Sequence, residues 1–432
     1  MGFVAPAHSI RSGRLSGRPQ KRLTDQRVSR RWSFLPSAPQ RLRALADGNW
    51  RSSTTTTTTV PSRSSSAVKS AADVGTAALA WERLAFDFVP TSCYVKSVWR
   101  ADTNSWSPVE EVHYGPHGEP VMPVHIASTA LHYGQSVFEG LKAFACADRH
   151  VRLFRPRENA ARLERSARRL NMPVVPPELF MEAVQRCVLR NCEYVPPYGA
   201  AGAGGSLYVR PLLFGSGGRI GLGPADEYTF LVLVTPVGNY YRGGLAPVTA
   251  YITTEYDRAA PRGVGHVKVA GNYAADLKPS MEAKARGYPI NLYLDAREQR
   301  YVEEFGTSNF AGIRYLDERG DRYVYVTPWS ESVLAGITNR TLMELTQLEG
   351  MAVEHRPVTL DELGHFDEVF ATGTAVVITA VDQVVRGERV IPIGRTTGSG
   401  HVGPVAQRLY RQVRAIQTGE APDPAHWTHL VI

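Results

Sequence analysis

Cysteine is scarce in this chain: Cys93, Cys146, Cys187 and Cys192 are the only four in 432 residues, and they form no CxxC pair and have no histidine cluster beside them. Neither a zinc site nor a disulfide framework is expected, and a reducing compartment fits best. Long apolar runs are missing too. Arg, Asp, Gly and Pro interrupt every stretch well short of the roughly 18 residues a membrane helix needs, so no membrane partner is expected. There is no Walker-type phosphate loop and no internal repeat, and glycine pairs such as Gly217-Gly218 follow no GxGxxG spacing.

Acidic residues are nearly absent from the beginning of the chain. Residues 1–70 hold thirteen Lys and Arg, eleven of them Arg, against only Asp25 and Asp47. That balance of +11 exceeds the +8 of the whole chain and leaves −3 for residues 71–432. The basicity is thus confined to one end rather than spread over a folded surface, and no nucleic-acid partner is expected. The same segment is rich in Ser and Thr, including the run Ser52 to Thr59. This is the composition of an organelle transit peptide, the alternative being a disordered basic tail that stays attached. Pro6 stands where a myristoylation signal beginning Met1-Gly2 needs Ser or Thr. Arginine dominance favours a mitochondrial over a plastid destination.

What remains, at 43% hydrophobic residues for the whole chain, can fill one or two sizeable cores. Residues 1–78 are expected to be a disordered transit peptide and linker. Large apolar residues first cluster at Trp81, Leu84, Phe86, Phe88 and Val89. Beyond them strand-like runs such as Tyr228 to Val234 alternate with helical ones such as Arg157 to Leu170, where Leu163, Ala167 and Leu170 share a face. An α/β or α+β protein follows. Dense turn residues from Pro236 to Gly244 mark a connection, so a smaller domain is placed at 79–237, a linker at 238–246 and a larger domain at 247–432.

The chemistry is concentrated in Gly265-His266-Val267-Lys268-Val269-Ala270-Gly271-Asn272-Tyr273. A lysine among apolar residues loses hydration, its pKa falls, and the neutral amine becomes a nucleophile toward an aldehyde. A lone lysine in such surroundings more often snorkels to the surface. Here small residues around it would let a flat ring approach the backbone, and Tyr273 could hydrogen-bond a phenolic oxygen on that ring.

Lys268 to Tyr273 resembles the cofactor-lysine motif of the branched-chain aminotransferases, and Leu131-His132-Tyr133-Gly134-Gln135-Ser136-Val137-Phe138-Glu139-Gly140-Leu141-Lys142 resembles their N-terminal substrate motif. Further blocks match in the same order: Phe154-Arg155-Pro156-Arg157-Glu158 with Arg162, Tyr208-Val209-Arg210-Pro211, Glu304 to Phe310, Leu334 to Arg340, and Ala371-Thr372-Gly373-Thr374-Ala375. The likeness runs from about Trp81 to Trp427. It implies the two-domain, D-amino-acid-aminotransferase-like fold (fold type IV), pyridoxal 5'-phosphate held as a Schiff base on Lys268, and transfer of the amino group of leucine, isoleucine or valine to 2-oxoglutarate, yielding branched-chain 2-oxo acids and glutamate.

The resemblance also distributes roles. Arg162, Thr307, Ile337, Thr338 and Thr374 would hold the cofactor, with Arg162 on the phosphate because a guanidinium fork matches phosphate geometry. Gly336-Ile337-Thr338 precedes a helical run through Leu345, where free amides favour an anion. Glu304 would keep the pyridine nitrogen protonated. Its neighbour Glu303 competes for that part, and strand alternation is expected to leave one of the two solvated. Phe138 and Tyr240 would form an apolar wall, completed by Tyr133 and Leu222 of a partner subunit in a homodimer. Arg210 would meet glutamate's distal carboxylate, and Tyr208 with the amides of Thr374 and Ala375 the α-carboxylate. Without the resemblance, Phe138 reads as core and the Gly-Ile-Thr tripeptide as an ordinary cap; Tyr241 competes with Tyr240.

Ala270 stands where the family often has glycine, Pro224 where valine is expected, and the CxxC of some animal members is absent. A D-amino-acid aminotransferase and an aminodeoxychorismate lyase share the fold, lysine and glutamate. The Tyr208-Val209-Arg210 and Tyr133/Phe138 blocks favour the branched-chain reading.

Overall fold

Two large sheets organise the protein, and the catalytic lysine of the sequence reading lies where elements from both converge. The structure is a computed structural model that describes residues 69–114, 119–200, 205–238, 245–394 and 401–432, all within the unit Val60–Ile432. Tyr240, Tyr241 and most of the expected linker lie outside the described residues. So does the segment 1–68 expected to be a transit peptide.

Among the described residues the first sheet has nine strands, and every pairing in it is antiparallel. Its centre is the pair Ser206–Gly215 and Glu227–Val237, in register over ten residues. Both strands sort their side chains by parity, as a pleat demands. Leu207, Val209, Leu213, Phe230, Val232 and Val234 join the main core. Leu212, Phe214, Leu231 and Leu233 point to the other face. Helices Pro156–Arg169 and Pro177–Arg190 supply further residues of that main core. The first of them begins one residue before the predicted start because Pro156 suits the first helical position, and it carries Glu158 in its first turn and Arg168 and Arg169 in its last.

The second sheet has ten strands among the described residues. Six of them pair in sequence as Asn309–Tyr315, Glu368–Gly373, Val377–Arg386, Val248–Ile252, Ile290–Leu294 and Tyr301–Phe305, and the pairing of Glu304 with Asn309 closes the circuit. Closure removes the edge at that point and fixes Glu304 in a tight return. Ala311, Ile313, Phe370, Ile378 and Ala380 pack against helices Ile337–Leu348 and Pro404–Gln417. Residues of the opposite parity, among them Phe310, Val369, Ala371 and Val381, form a separate core.

The sheets are mostly antiparallel, which puts the fold on the α+β side of the expectation. The described residues begin at Lys69, twelve positions ahead of the apolar cluster that starts at Trp81. Residues 69–78 are held by polar contacts that hydrophobic patterning does not register: the Gly75 and Ala77 amides donate to the carbonyls of Cys192 and Glu193, and Lys69 Nζ to that of Arg190. Among the described residues no helix is long and apolar enough to cross a membrane.

Candidate active site

Lys268 is positioned by its backbone. Its N–H donates to Ser166 Oγ at 3.0 Å and its carbonyl accepts from the Phe138 amide at 3.1 Å, so the segment is pinned between the helix Pro156–Arg169 and the strand Ser136–Phe138. Val267 and Val269 are buried in the main core. Extended alternation then turns the Lys268 side chain the other way, into a cavity of roughly 480 Å³. Nζ donates to the Tyr273 hydroxyl at 2.7 Å and sits 4.7 Å from the centre of the Phe138 ring. Burial, reinforced by the Arg162 charge, pulls the lysine pKa down to about 8. Burial likewise pushes Tyr273 up to about 12. The amine therefore loses its proton far more readily than an ordinary lysine, and a substantial minority of it is neutral and nucleophilic at physiological pH.

Glu304 lies in the same cavity, 2% exposed. Oε1 accepts from the Leu334 amide at 2.9 Å and from Arg258 at 2.6 Å, and Oε2 from Asn309 Nδ2 at 3.1 Å. Burial raises its pKa to about 7 against the opposing pull of Arg258. Glu303 departs from expectation. Alternation sends it away from Glu304, but not into solvent: it is 5% exposed and accepts from the hydroxyls of Ser330 and Ser332.

Arg162 reaches the cavity from its helix. Its Nε and one terminal nitrogen grip both oxygens of Glu139 at 2.7 Å, and the other terminal nitrogen donates to the Ala335 carbonyl at 3.1 Å. Glu139 is fully buried and also accepts from Asn159. Replacing Glu139 with Ala would strand the guanidinium in the interior. We expect a loss of about 3–5 kcal/mol in denaturant unfolding of the cofactor-free protein.

Gly336 caps the helix Ile337–Leu348, and Ile337 and Thr338 line the cavity at its N-terminus. A Cβ on Gly336 would lie 1.7 Å from Asn309 Oδ1, so the sequence has no freedom there. Thr307, Thr374 and Ala375 line the cavity as well. On its far side Phe138, Tyr208 and Arg210 form one cluster: the guanidinium stacks 4.6 Å over the Phe138 ring and donates to the Tyr208 hydroxyl at 3.1 Å.

Two residues of the sequence reading are not in this cavity. Tyr133 and Leu222 are 45% and 85% exposed, and the Tyr133 hydroxyl donates to the carbonyl of Ile220, so the two segments adjoin. Sequence reasoning missed Glu139, Arg258 and Phe86. Glu139 sat inside a quoted motif without a role. Phe86 lines the cavity edge-on to Tyr208 at 5.1 Å, although only its apolarity was noted. Arg258, ten residues before Lys268, carries no local signal.

The amine–phenol pair lies in one cavity with a buried acid, an arginine and a helix N-terminus, the components that an amino-group-transferring coenzyme requires. The model of the family described as amino-transferase class IV matches residues 136–384. The chain belongs to the class IV aminotransferases. Among its relatives in that family, branched-chain-amino-acid aminotransferase 5, chloroplastic, of Arabidopsis thaliana is 40% identical over 349 residues, 81% of this chain and 79% of the relative. The branched-chain amino acid aminotransferase of Escherichia coli superposes with a TM-score of 0.62 at 28% identity, over 78% of this chain and 100% of that one. The branched-chain amino acid aminotransferase of T.th., solved in complex with N-(5'-phosphopyridoxyl)-L-glutamate, superposes at 0.59 with 28% identity, over 78% and 98%. With these neighbours the class IV aminotransferase fold is the fold-type-IV arrangement expected from the sequence.

Proposed function

We propose that this protein is a branched-chain amino acid aminotransferase that moves the amino group of leucine, isoleucine or valine to 2-oxoglutarate, with pyridoxal 5'-phosphate as its cofactor. The observation that carries this reading is the pairing of Lys268 with Tyr273 in a cavity that also holds Glu304 and Arg162 and is walled by Phe138 and Arg210. Pyridoxal phosphate, when bound, supplies an aldehyde that exchanges amino groups and a ring that takes up an electron pair.

The residues divide the work. Lys268 would hold the cofactor, and its free Nζ would take the α-proton and return it, a task suited to a pKa near 8. The Tyr273 hydroxyl orients that amine. Glu304, whose ionised form Arg258 favours against the pull of burial, would serve the ring nitrogen. Arg162 and the amides of Ile337 and Thr338 receive the phosphate, aided by the hydroxyls of Thr307 and Thr374. Tyr208 and the turn amides of Thr374 and Ala375 hold the α-carboxylate. Phe138 offers an aliphatic side chain a dry wall, a role the sequence motif extends to Tyr240, while Arg210 at the same place as Phe138 would meet glutamate's second carboxylate. One pocket thus serves both half-reactions.

Tyr133 and Leu222 complete the pocket of a second copy in a homodimer. Support comes from the exposure of Ile126, Ile220 and Leu222 at 84%, 68% and 85%, an apolar patch of the kind that marks an interface. Leu222→Asp is expected to shift the sedimentation profile to monomer and lower activity at least tenfold. Residues 79–237 and 247–432 act as the two domains on either side of the 238–246 linker. The basic leader directs the protein to an organelle, the mitochondrion on its arginine content, with the plastid location of the Arabidopsis relative as the competing precedent.

The deciding experiment pairs each L- and D-amino acid with 2-oxoglutarate on purified protein lacking residues 1–68, which leaves the contacts of Lys69 and Gly75 in place. Transfer from leucine, isoleucine and valine is expected. Preference for D-donors, or release of pyruvate from aminodeoxychorismate, would replace this reading with one of the related activities.

A further inference from the structure

Lys142 is a lysine for which the reaction above has no use. It lies on the strand Leu141–Ala145 of the first sheet, directly opposite Tyr208 in the register, so the two side chains leave the same face. It is 5% exposed. Its Nζ donates to the Ala375 carbonyl at 2.8 Å, across to the turn that follows the strand Glu368–Gly373 of the second sheet. Among the described residues no acid offsets its charge, and the one charge acting on it is the like-signed Arg414. Burial lowers its pKa to about 7. For stability alone an apolar side chain would serve better at such a position.

The turn it touches is strained. Val377 has φ +66°, a left-handed conformation that is a true outlier for a β-branched residue. The Ile378 amide donates to the Val376 carbonyl at 2.9 Å, closing a three-residue turn of the rare positive-φ type. Such conformations persist only where the surroundings over-determine them. One constraint is Val377 itself, 4% exposed in the core beneath the helices. The other is Lys142. By holding the Ala375 carbonyl it fixes the plane of the Ala375–Val376 peptide, because the peptide unit is rigid. Thr374, Ala375 and Val376 all line the cavity, beside Tyr208 and Arg210.

We propose that Lys142 is a positioning residue that holds the Thr374–Val377 turn in its strained form and so sets the affinity of the site for substrate carboxylates. This rests on the reading that the turn and Tyr208 receive the α-carboxylate. The lysine touches the turn and not the substrate, so its removal should weaken carboxylate binding while sparing the proton transfer at Lys268.

The test uses the full holoenzyme. Binding of 4-methylpentanoate, a branched acid with no amino group to react, is titrated through its perturbation of the cofactor's visible absorbance. Alongside it, kcat and KM are measured for leucine and 2-oxoglutarate. Lys142→Met is expected to raise Kd and both KM values about tenfold or more with kcat within threefold and the unliganded spectrum unchanged; Lys142→Arg, which keeps a donor, should recover most of the affinity. An unchanged Kd in K142M, or a loss confined to kcat, overturns the proposal. If K142M does not fold, Lys142→Gln carries the same comparison, with a Kd raised at least fivefold supporting the proposal and a wild-type Kd overturning it. Wild-type protein that binds no carboxylate fails the functional reading itself, and the proposal with it, whereas binding that is indifferent to residue 142 defeats the proposal alone.

Discussion

Lys268→Ala will yield a protein with no turnover above about 10⁻⁴ of the wild type, and without the visible absorbance of a covalently held cofactor. Two functions vanish with one amine, because Nζ is both the attachment point and the base. The same substitution should leave the fold intact, and physical reasoning gives the sign. The lysine pKa lies below its ordinary value through burial and the neighbouring Arg162 charge, so the folded state disfavours the ammonium. By linkage this penalty is full below the folded pKa of about 8, fades as the pH rises from there towards the ordinary lysine value, and is gone above it. Removing the amine relieves it. The melting temperature of cofactor-free K268A is therefore expected to equal or exceed that of wild type at neutral pH. A variant that keeps either the absorbance or the turnover would sink the assignment of Lys268; one that merely unfolds would show that the residue is structural.

Local chemistry made part of this site readable in advance. Lys268 was visible because a cation between Val267 and Val269 contradicts its surroundings, and the helices Pro156–Arg169 and Ile337–Leu348 because their caps and periodicity are local. Thr374 and Ala375 entered through a motif rather than through physics, since a Gly-Thr-Ala turn has no signal of its own. What sequence could not supply was partnership over distance. Arg162 and Glu139 lie 23 positions apart and Arg258 and Glu304 farther still, yet each pair is buried as a unit. The misjudged Glu303 has the same origin. Alternation correctly set it opposite Glu304, but whether a second layer waits on that side depends on Ser330 and Ser332, which tertiary folding alone brings there. Lys142 illustrates the limit from the other direction, since inside its motif nothing marks it as the residue that crosses to a strained turn in another sheet.

Glu304→Gln should cost about two to three orders of magnitude in turnover, and the partner Arg258 makes the cause testable. The glutamine keeps the shape and one of the two hydrogen bonds from Leu334 and Asn309, which reach different oxygens, but drops the charge, and an uncompensated buried charge is worth about 3–5 kcal/mol. Arg258→Met removes the opposite member. Arg258 is the main influence holding the Glu304 pKa down against burial, so without it the carboxyl moves further above 7 and is protonated at neutral pH. A raised acid pKa means that the ionised form returns as pH increases. R258M is therefore expected to be weakly active at pH 7 and to recover relative to wild type between pH 7 and 9, whereas E304Q, having nothing to ionise, stays low throughout. The spectra offer a second reading, since a cofactor that keeps its ring proton less well in R258M should respond to pH in the same window. Parallel, pH-independent losses in the two variants would mean that the arginine serves packing, and that the charge of Glu304 is secured by some other group.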